Sequence, residues 1–133
     1  MNEKVQVVHL NEVQPEGGAH ALVALLRTPE DRVRRDTLLL LRPEQTRGGA
    51  ITLGYTVVYP GCSTRGHAHS DREEIYVIVR GRGTVIVGDD TVEVGPDDAV
   101  YIPPGPWHTT RNPSPAPLEY YWMTVACSPR PPR

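Results

Sequence analysis

Proline and glycine punctuate this chain at short intervals, 14 and 12 of them among 133 residues, and that spacing restricts what it can fold into. They follow no collagen-like period and form no long low-complexity run. Instead they separate short stretches: ITLGYTVVYPG (51–61), EIYVIVRG (74–81), TVIVGDDTVEVG (84–95), AVYIPPG (99–105) and LEYYWMTVA (118–126). Valine, isoleucine, threonine and tyrosine dominate these runs, as half-buried strands prefer. The step Gly88-Asp89-Asp90-Thr91 between TVIV and TVEV reads as a tight hairpin. Short strands separated by turn residues at such spacing point to an all-β sandwich or barrel.

The first fifty residues are read the same way. VQVVHL (5–10), AHALVALL (19–26) and TLLLLR (37–42) are expected to be strands. Leucine and alanine favour helix, but proline and glycine cut these runs too short for a stable one. PEDRVRRD (29–36) is expected to hold one helical turn, and SPRPPR (128–133) to be a disordered tail. Residues 1–127 then form a single domain.

With 14 Lys and Arg against 16 Asp and Glu, the formal net charge is -2. No basic block argues for nucleic acid and no acidic tail for a disordered partner segment. The N-terminal MNEKVQVVHLNEV mixes acids and a histidine into its apolar residues, unlike a secretory h-region. No apolar run approaches the roughly 18 residues of a membrane span. Cys62 and Cys127 lie far apart and are expected to be reduced thiols. A cytoplasmic protein with no nucleic-acid or membrane partner is expected.

Three of the five histidines lie between His67 and His108. Along extended backbone, residues i and i+2 share a face, so His67 and His69 can reach one ion while Ala68 turns away. Glu74 opens the next apolar run and can add a carboxylate from an adjacent strand. His108 follows a Pro-Pro-Gly-Pro turn that can return the chain to the same place. Three imidazoles and one carboxylate suit iron, manganese, nickel, cobalt or zinc. An isolated His-x-His in a loop would more often be a surface feature, so the wider spacing carries the weight.

That spacing is Gly61-x5-His67-x-His69-x4-Glu74-x6-Gly81, followed by Pro103-x-Gly105-x2-His108-x3-Asn112. It resembles the two motifs of the cupin superfamily, in order, over residues 61 to 112. The opening glycine of the second motif would fall at Asp97, with Gly95 two residues early, a departure expected to affect a turn. The resemblance implies a cupin-type double-stranded β-helix, a small jelly-roll-like barrel, with one metal inside near an open end. It implies His67, His69, Glu74 and His108 as the ligands of one divalent transition metal per chain. Fe(II) is favoured, with Mn, Ni, Co or Zn as alternatives. The same register selects Glu74 over Glu73, because a six-residue step from Glu73 ends on Arg80 and not on a glycine. Glu73 is then a solvated carboxylate at the rim, paired with Arg72 or Arg65.

Tyr76 and Trp122 are the aromatic residues best placed to touch a substrate, although barrel aromatics are more often plain core. Arg65 and Arg111 flank the ligand strands and can bind a carboxylate or phosphate, against the blander expectation of solvated rim arginines. His9 and His20 read as structural or surface residues, Cys62 as buried and inert, and Trp107 as packing against the ligand strand. Ile75, Val77 and Val79 face away from Glu74 yet are apolar, so they pack under an N-terminal strand or against a second subunit. Cupins commonly dimerise, and a homodimer is expected.

Four protein ligands leave one or two coordination positions for a substrate with adjacent oxygens, such as an enediol, catechol or β-dicarbonyl. The resemblance implies a metal-dependent enzyme on a small oxygenated molecule, with a dioxygenase foremost and Glu74 also acting as a catalytic base. A non-oxidative isomerase, cyclase or lyase, of the polyketide-tailoring or sugar-converting kind, comes second. A non-catalytic small-molecule-binding domain comes third. Fold alone does not choose among them.

Overall fold

Alternation of side chains along the Val, Ile and Tyr runs builds the molecule. The computed structural model describes residues 5–16 and 33–127. Within them run β1 (Arg35–Leu41), β2 (Ile51–Val58), β3 (Arg72–Arg80), β4 (Gly83–Val87), β5 (Asp90–Val94), β6 (Ala99–Ile102), β7 (His108–Arg111) and β8 (Leu118–Ala126). They form two antiparallel sheets, ordered β1-β2-β8-β3-β6 and β5-β4-β7. The expected hairpin joins β4 to β5, with Val87 opposite Asp90.

On β3 the alternation is plain. Glu74, Tyr76 and Ile78 are buried, whereas Ile75, Val77 and Val79 are 38, 42 and 44% exposed on the outer face. Between the sheets, Val58, Ile78, Val85, Ile102 and Leu118 are each at most 1% exposed. Burying each is worth roughly 1.5–3 kcal/mol, so these five anchor the barrel.

The segments carrying the two sequence motifs are zipped together by backbone hydrogen bonds. Gly61 N donates to Asn112 O at 2.8 Å, Asn112 N to Cys62 O at 2.9 Å, and Thr64 N to Thr110 O at 2.9 Å. Residues 61–69 thereby extend the smaller sheet beyond β7, with Ser63 bridged to Arg111. Asn112 locks one end of this seam. It is 1% exposed, its amide donates to Val58 O (2.9 Å) and Ala116 O (2.7 Å), and its Oδ1 accepts from Ser114 N (3.1 Å) and Oγ (2.8 Å).

Two turns follow the motif pattern. Gly81 has φ +83°, and a Cβ there would lie 2.1 Å from Pro117 O. Asp97, at the position where a glycine was missing, has φ 72°. Aspartate tolerates this left-handed region better than most residues, and Asp97 N donates to Ile78 O at 2.8 Å. Asp97 therefore takes the left-handed turn conformation open to a glycine at this position.

The N-terminal expectations need correction. VQVVHL is not a strand: residues 5–9 have no ladder, and Leu10–Glu12 is a 3-10 turn. Gln6, Val8 and Leu10 lie across the outer face against Leu40, Leu41 and Leu53, not along a sheet edge, so strand pairing is unmet. Val5 and Val7 stay 93 and 76% exposed. PEDRVRRD is not helical where it is described. Val33 bridges Ser63, and Arg35 and Asp36 pair with Val58 and Val57, which extended backbone alone permits. TLLLLR lies within β1 except for Arg42, where the strand has ended. AHALVALL, His20 and the tail lie outside the described residues. Cys62 and Cys127 are unpaired. Among the described residues no helix is long and apolar enough to cross a membrane.

Asn112→Ala is expected to lower the unfolding free energy by about 3 kcal/mol, since it orphans the buried Val58 carbonyl and removes the bonds to Ala116 O and Ser114. Urea denaturation measures this, and a loss below about 1 kcal/mol would show that Asn112 does not lock the seam.

Candidate metal centre

His67 and His108 oppose each other across the antiparallel seam: His67 N donates to His108 O at 3.1 Å, and His108 N to His67 O at 2.8 Å. Residues directly opposite in such a pair project to the same side. His69, two residues on, joins them, held by Gly105 N donating to His69 O at 2.6 Å. His67 and His69 thus share a face as expected, although β7 positions them and no regular strand of their own does. The ring centroids are 4.4 Å (67–108), 4.5 Å (67–69) and 5.7 Å (69–108) apart.

Glu74 arrives from the other sheet, between Thr124 on β8 and Ile102 on β6. One donor atom from each of the four residues lies within 4.8 Å of the others. Ligand atoms around a metal with bonds of about 2.1 Å are separated by about 3–4.3 Å, so the cluster matches a coordination shell.

The electrostatics point the same way. Glu74 and His108 are 6 and 2% exposed, and Glu74 Oε2 lies 2.7 Å from His108 Nε2. Neither atom makes a hydrogen bond of acceptable direction, so the two aim at a common point more than at each other. Leaving such buried atoms without a bonding partner is costly, and a cation at that point supplies one. Burial lowers the pKa of His67, with the neighbouring His108 adding to the effect, and burial and Arg72 lower that of His69. Both imidazoles are therefore neutral near pH 7, the form that ligates metal. For His108 burial opposes protonation, but the Glu74 carboxylate outweighs it and raises the pKa. Nδ1 of His67 faces Arg65 O and Nδ1 of His108 faces Pro106 O, each at 3.3 Å. Placing the proton on Nδ1 frees Nε2. His69 differs, its Nδ1 facing Arg72 Nη2 at 3.3 Å.

The cluster opens onto a cavity of about 470 Å³, within the range of small-molecule sites. Tyr76, Tyr120 and Trp122 form one wall. Tyr76 and Tyr120 stack at 4.7 Å, and Trp122 Nε1 donates to Thr56 Oγ1 at 2.9 Å. The indole has room because residue 54 is glycine: a Cβ there would lie 2.1 Å from the ring. Burial pushes the Tyr120 hydroxyl up to about 12, so it stays protonated.

Tyr76, Trp122 and Arg65 line this cavity. Arg111 does not; it is exposed at the end of β7, in a separate small depression with Cys62 and Asn112. Glu73 faces away from Glu74 and accepts a hydrogen bond from the Tyr101 hydroxyl at 2.8 Å, while Arg72 turns to Asp71 at 3.5 Å and to His69. Trp107 rests on the residue before His67, where a Cβ in place of the Gly66 hydrogen would lie 1.8 Å from its ring. Sequence reasoning missed Arg35, Thr37 and Thr56 as cavity residues. Strand parity would have found Thr37 on β1 and Thr56 on β2, and Arg35 as well had PEDRVRRD not been read as a helical turn.

A family model described as "Cupin domain" matches residues 54–124. Glucose-6-phosphate isomerase of Thermococcus kodakarensis is 33% identical over 82 residues, covering 52% of this chain and 43% of the relative. The chain spans less than two thirds of the length of the curated relatives it matches first. Among solved structures, a predicted oxalate decarboxylase from Thermotoga maritima superposes with a TM-score of 0.77 at 22% identity, covering 91% of this chain and 99% of that one. A polyketide cyclase from Streptomyces resistomycificus superposes with a TM-score of 0.68 at 24% identity, covering 96 and 83%. At these identities the superpositions show the fold.

Glu74→Gln is expected to reduce metal retained through purification at least tenfold, while Glu73→Gln retains the wild-type amount. Elemental analysis of the purified proteins decides, and equal loss in both would show the register of β3 to be wrong.

Proposed function

This chain belongs to the cupin family, and from that premise we propose that it is a metal-dependent enzyme acting on a small oxygenated organic molecule. The observation that carries the proposal is the convergence of His67, His69, Glu74 and His108 beside a half-open cavity. One divalent transition metal per chain, held by these four, would polarise adjacent oxygens of the substrate. Tyr76 and Trp122 hold the carbon skeleton, and Arg65 lies at the cavity wall. Glu74 takes a proton from the carbon beside the polarised oxygens and returns it elsewhere.

This chemistry is non-oxidative, that of an isomerase, cyclase or lyase. The isomerase relatives, 33% identical over 82 residues, support it. The second proposal is a dioxygenase, favoured by the donor set, because three imidazoles and a carboxylate suit Fe(II). We further propose a homodimer formed through the outer face of β3, where Ile75, Val77 and Val79 are exposed.

Metal analysis of the purified protein, followed by incubation with α-hydroxyketones and β-dicarbonyls in D2O, tests the first reading. One metal per chain with deuterium incorporation and no O2 uptake is expected. Stoichiometric iron with substrate-dependent O2 consumption assigns the dioxygenase instead, and absence of metal after reconstitution overturns the enzyme. Val77→Asp is expected to shift sedimentation from dimer to monomer; an unchanged profile removes β3 from the interface.

A further inference from the structure

Glu74 is one of four charged side chains that line the cavity; the others are Arg35, Arg65 and Arg72. Among these four, arginines outnumber carboxylates three to one, and a divalent cation in the cluster would add two positive charges. A cavity with that balance favours an anion.

Arg35 is the most telling of the three. It stands on β1 directly opposite Val58, whose side chain is fully buried between the sheets. Opposed residues of an antiparallel pair share a face, so Arg35 points inward from an edge strand. Its Nη1 is shielded from solvent and donates to no acceptor among the described residues. Arg72 Nε is likewise shielded without a hydrogen bond, but it lies 3.5 Å from Asp71 Oδ1, and its Nη2 faces His69. Thr37, two residues along β1 on the same face, adds a hydroxyl to the same wall. In the larger sheet β1 is three strands from β3, so Arg35 and Glu74 enter the cavity from separate strands of one sheet face, about 14 Å apart at the usual strand spacing.

We propose that Arg35 is the oxyanion-binding residue of this cavity and that the substrate is a small organic anion. Its carboxylate or phosphate ester is clasped by the Arg35 guanidinium, while adjacent oxygens at its other end reach the four-residue cluster. This substrate class rests on the metal-dependent function proposed above, but the oxyanion site itself can be tested without metal. A guanidinium fork offers two parallel donors to either anion, and one charge-assisted contact of this kind is worth roughly tenfold or more in affinity.

Calorimetric titration of the full chain, as purified and after removal of metal, with benzoate, phenyl phosphate and neutral benzamide tests the assignment. In the wild type at least one anion is expected to bind tenfold or more tightly than benzamide, and the preferred anion identifies carboxylate or phosphate ester. In Arg35→Gln that preference falls to about one while benzamide affinity is retained. If Arg35→Gln fails to fold by circular dichroism, Arg35→Met, which keeps the apolar stem, replaces it. Equal binding of all three probes by the wild type overturns the proposal. So does a preference that survives loss of Arg35, or one abolished by Arg65→Gln alone. Failure of the metal reading shows separately, in elemental analysis, because the anion preference is measured on metal-free protein too.

Discussion

The antiparallel seam between residues 61–69 and 105–112 is the constraint on which the rest of the structure depends. It is short, built mostly of single backbone bonds, and outside any long strand, yet it brings the two halves of the site together. His67 and His108 are 41 positions apart in sequence, but their reciprocal bonds make them direct neighbours. The intervening chain then leaves as β3, crosses to the other sheet, and supplies Glu74 from the opposite side. Three donors are fixed by one sheet and the fourth by its partner. Their convergence is therefore a measure of how the two sheets are spaced.

Much of this was legible in the sequence, for a physical reason. Strand parity is a strict period of two, so the choice between Glu73 and Glu74 had only two answers, and the spacing to Gly81 selected one. The left-handed turn residues Gly81 and Asp97 could be placed for a similar reason, since few conformations reverse a chain so sharply. The N-terminal region obeyed no such rule. VQVVHL has the composition of a strand, but a strand needs an edge to pair with, and this segment crosses the outer face instead. Arg35 was hidden because charged residues in PEDRVRRD suggested solvent, whereas pairing with β2 turns one of them inward. Glu73 found a tyrosine on a neighbouring strand, a partner that local spacing does not reveal.

The interior of the barrel is divided between packing and chemistry. Near Val58, Ile78, Val85 and Leu118 it is a close-packed apolar core. Toward the cluster the inward positions become Thr37, Thr56, Tyr76, Tyr120 and Thr124, which carry hydroxyl groups. A cavity left in the interior lowers what burial contributes to stability, so the dense seam and the satisfied Asn112 amide matter more than they would in a filled barrel.

The two tryptophans bracket the site. Trp122 lies over Gly54 on the inside of the cavity, and Trp107 rests on Gly66 behind the first histidine. They are the chain's only indoles, and it has no phenylalanine. Its tryptophan emission, excited apart from the six tyrosines, therefore originates around one region of the fold. That signal follows the surroundings of the site, whereas Tyr121 and backbone probes observe the segment on the outer face.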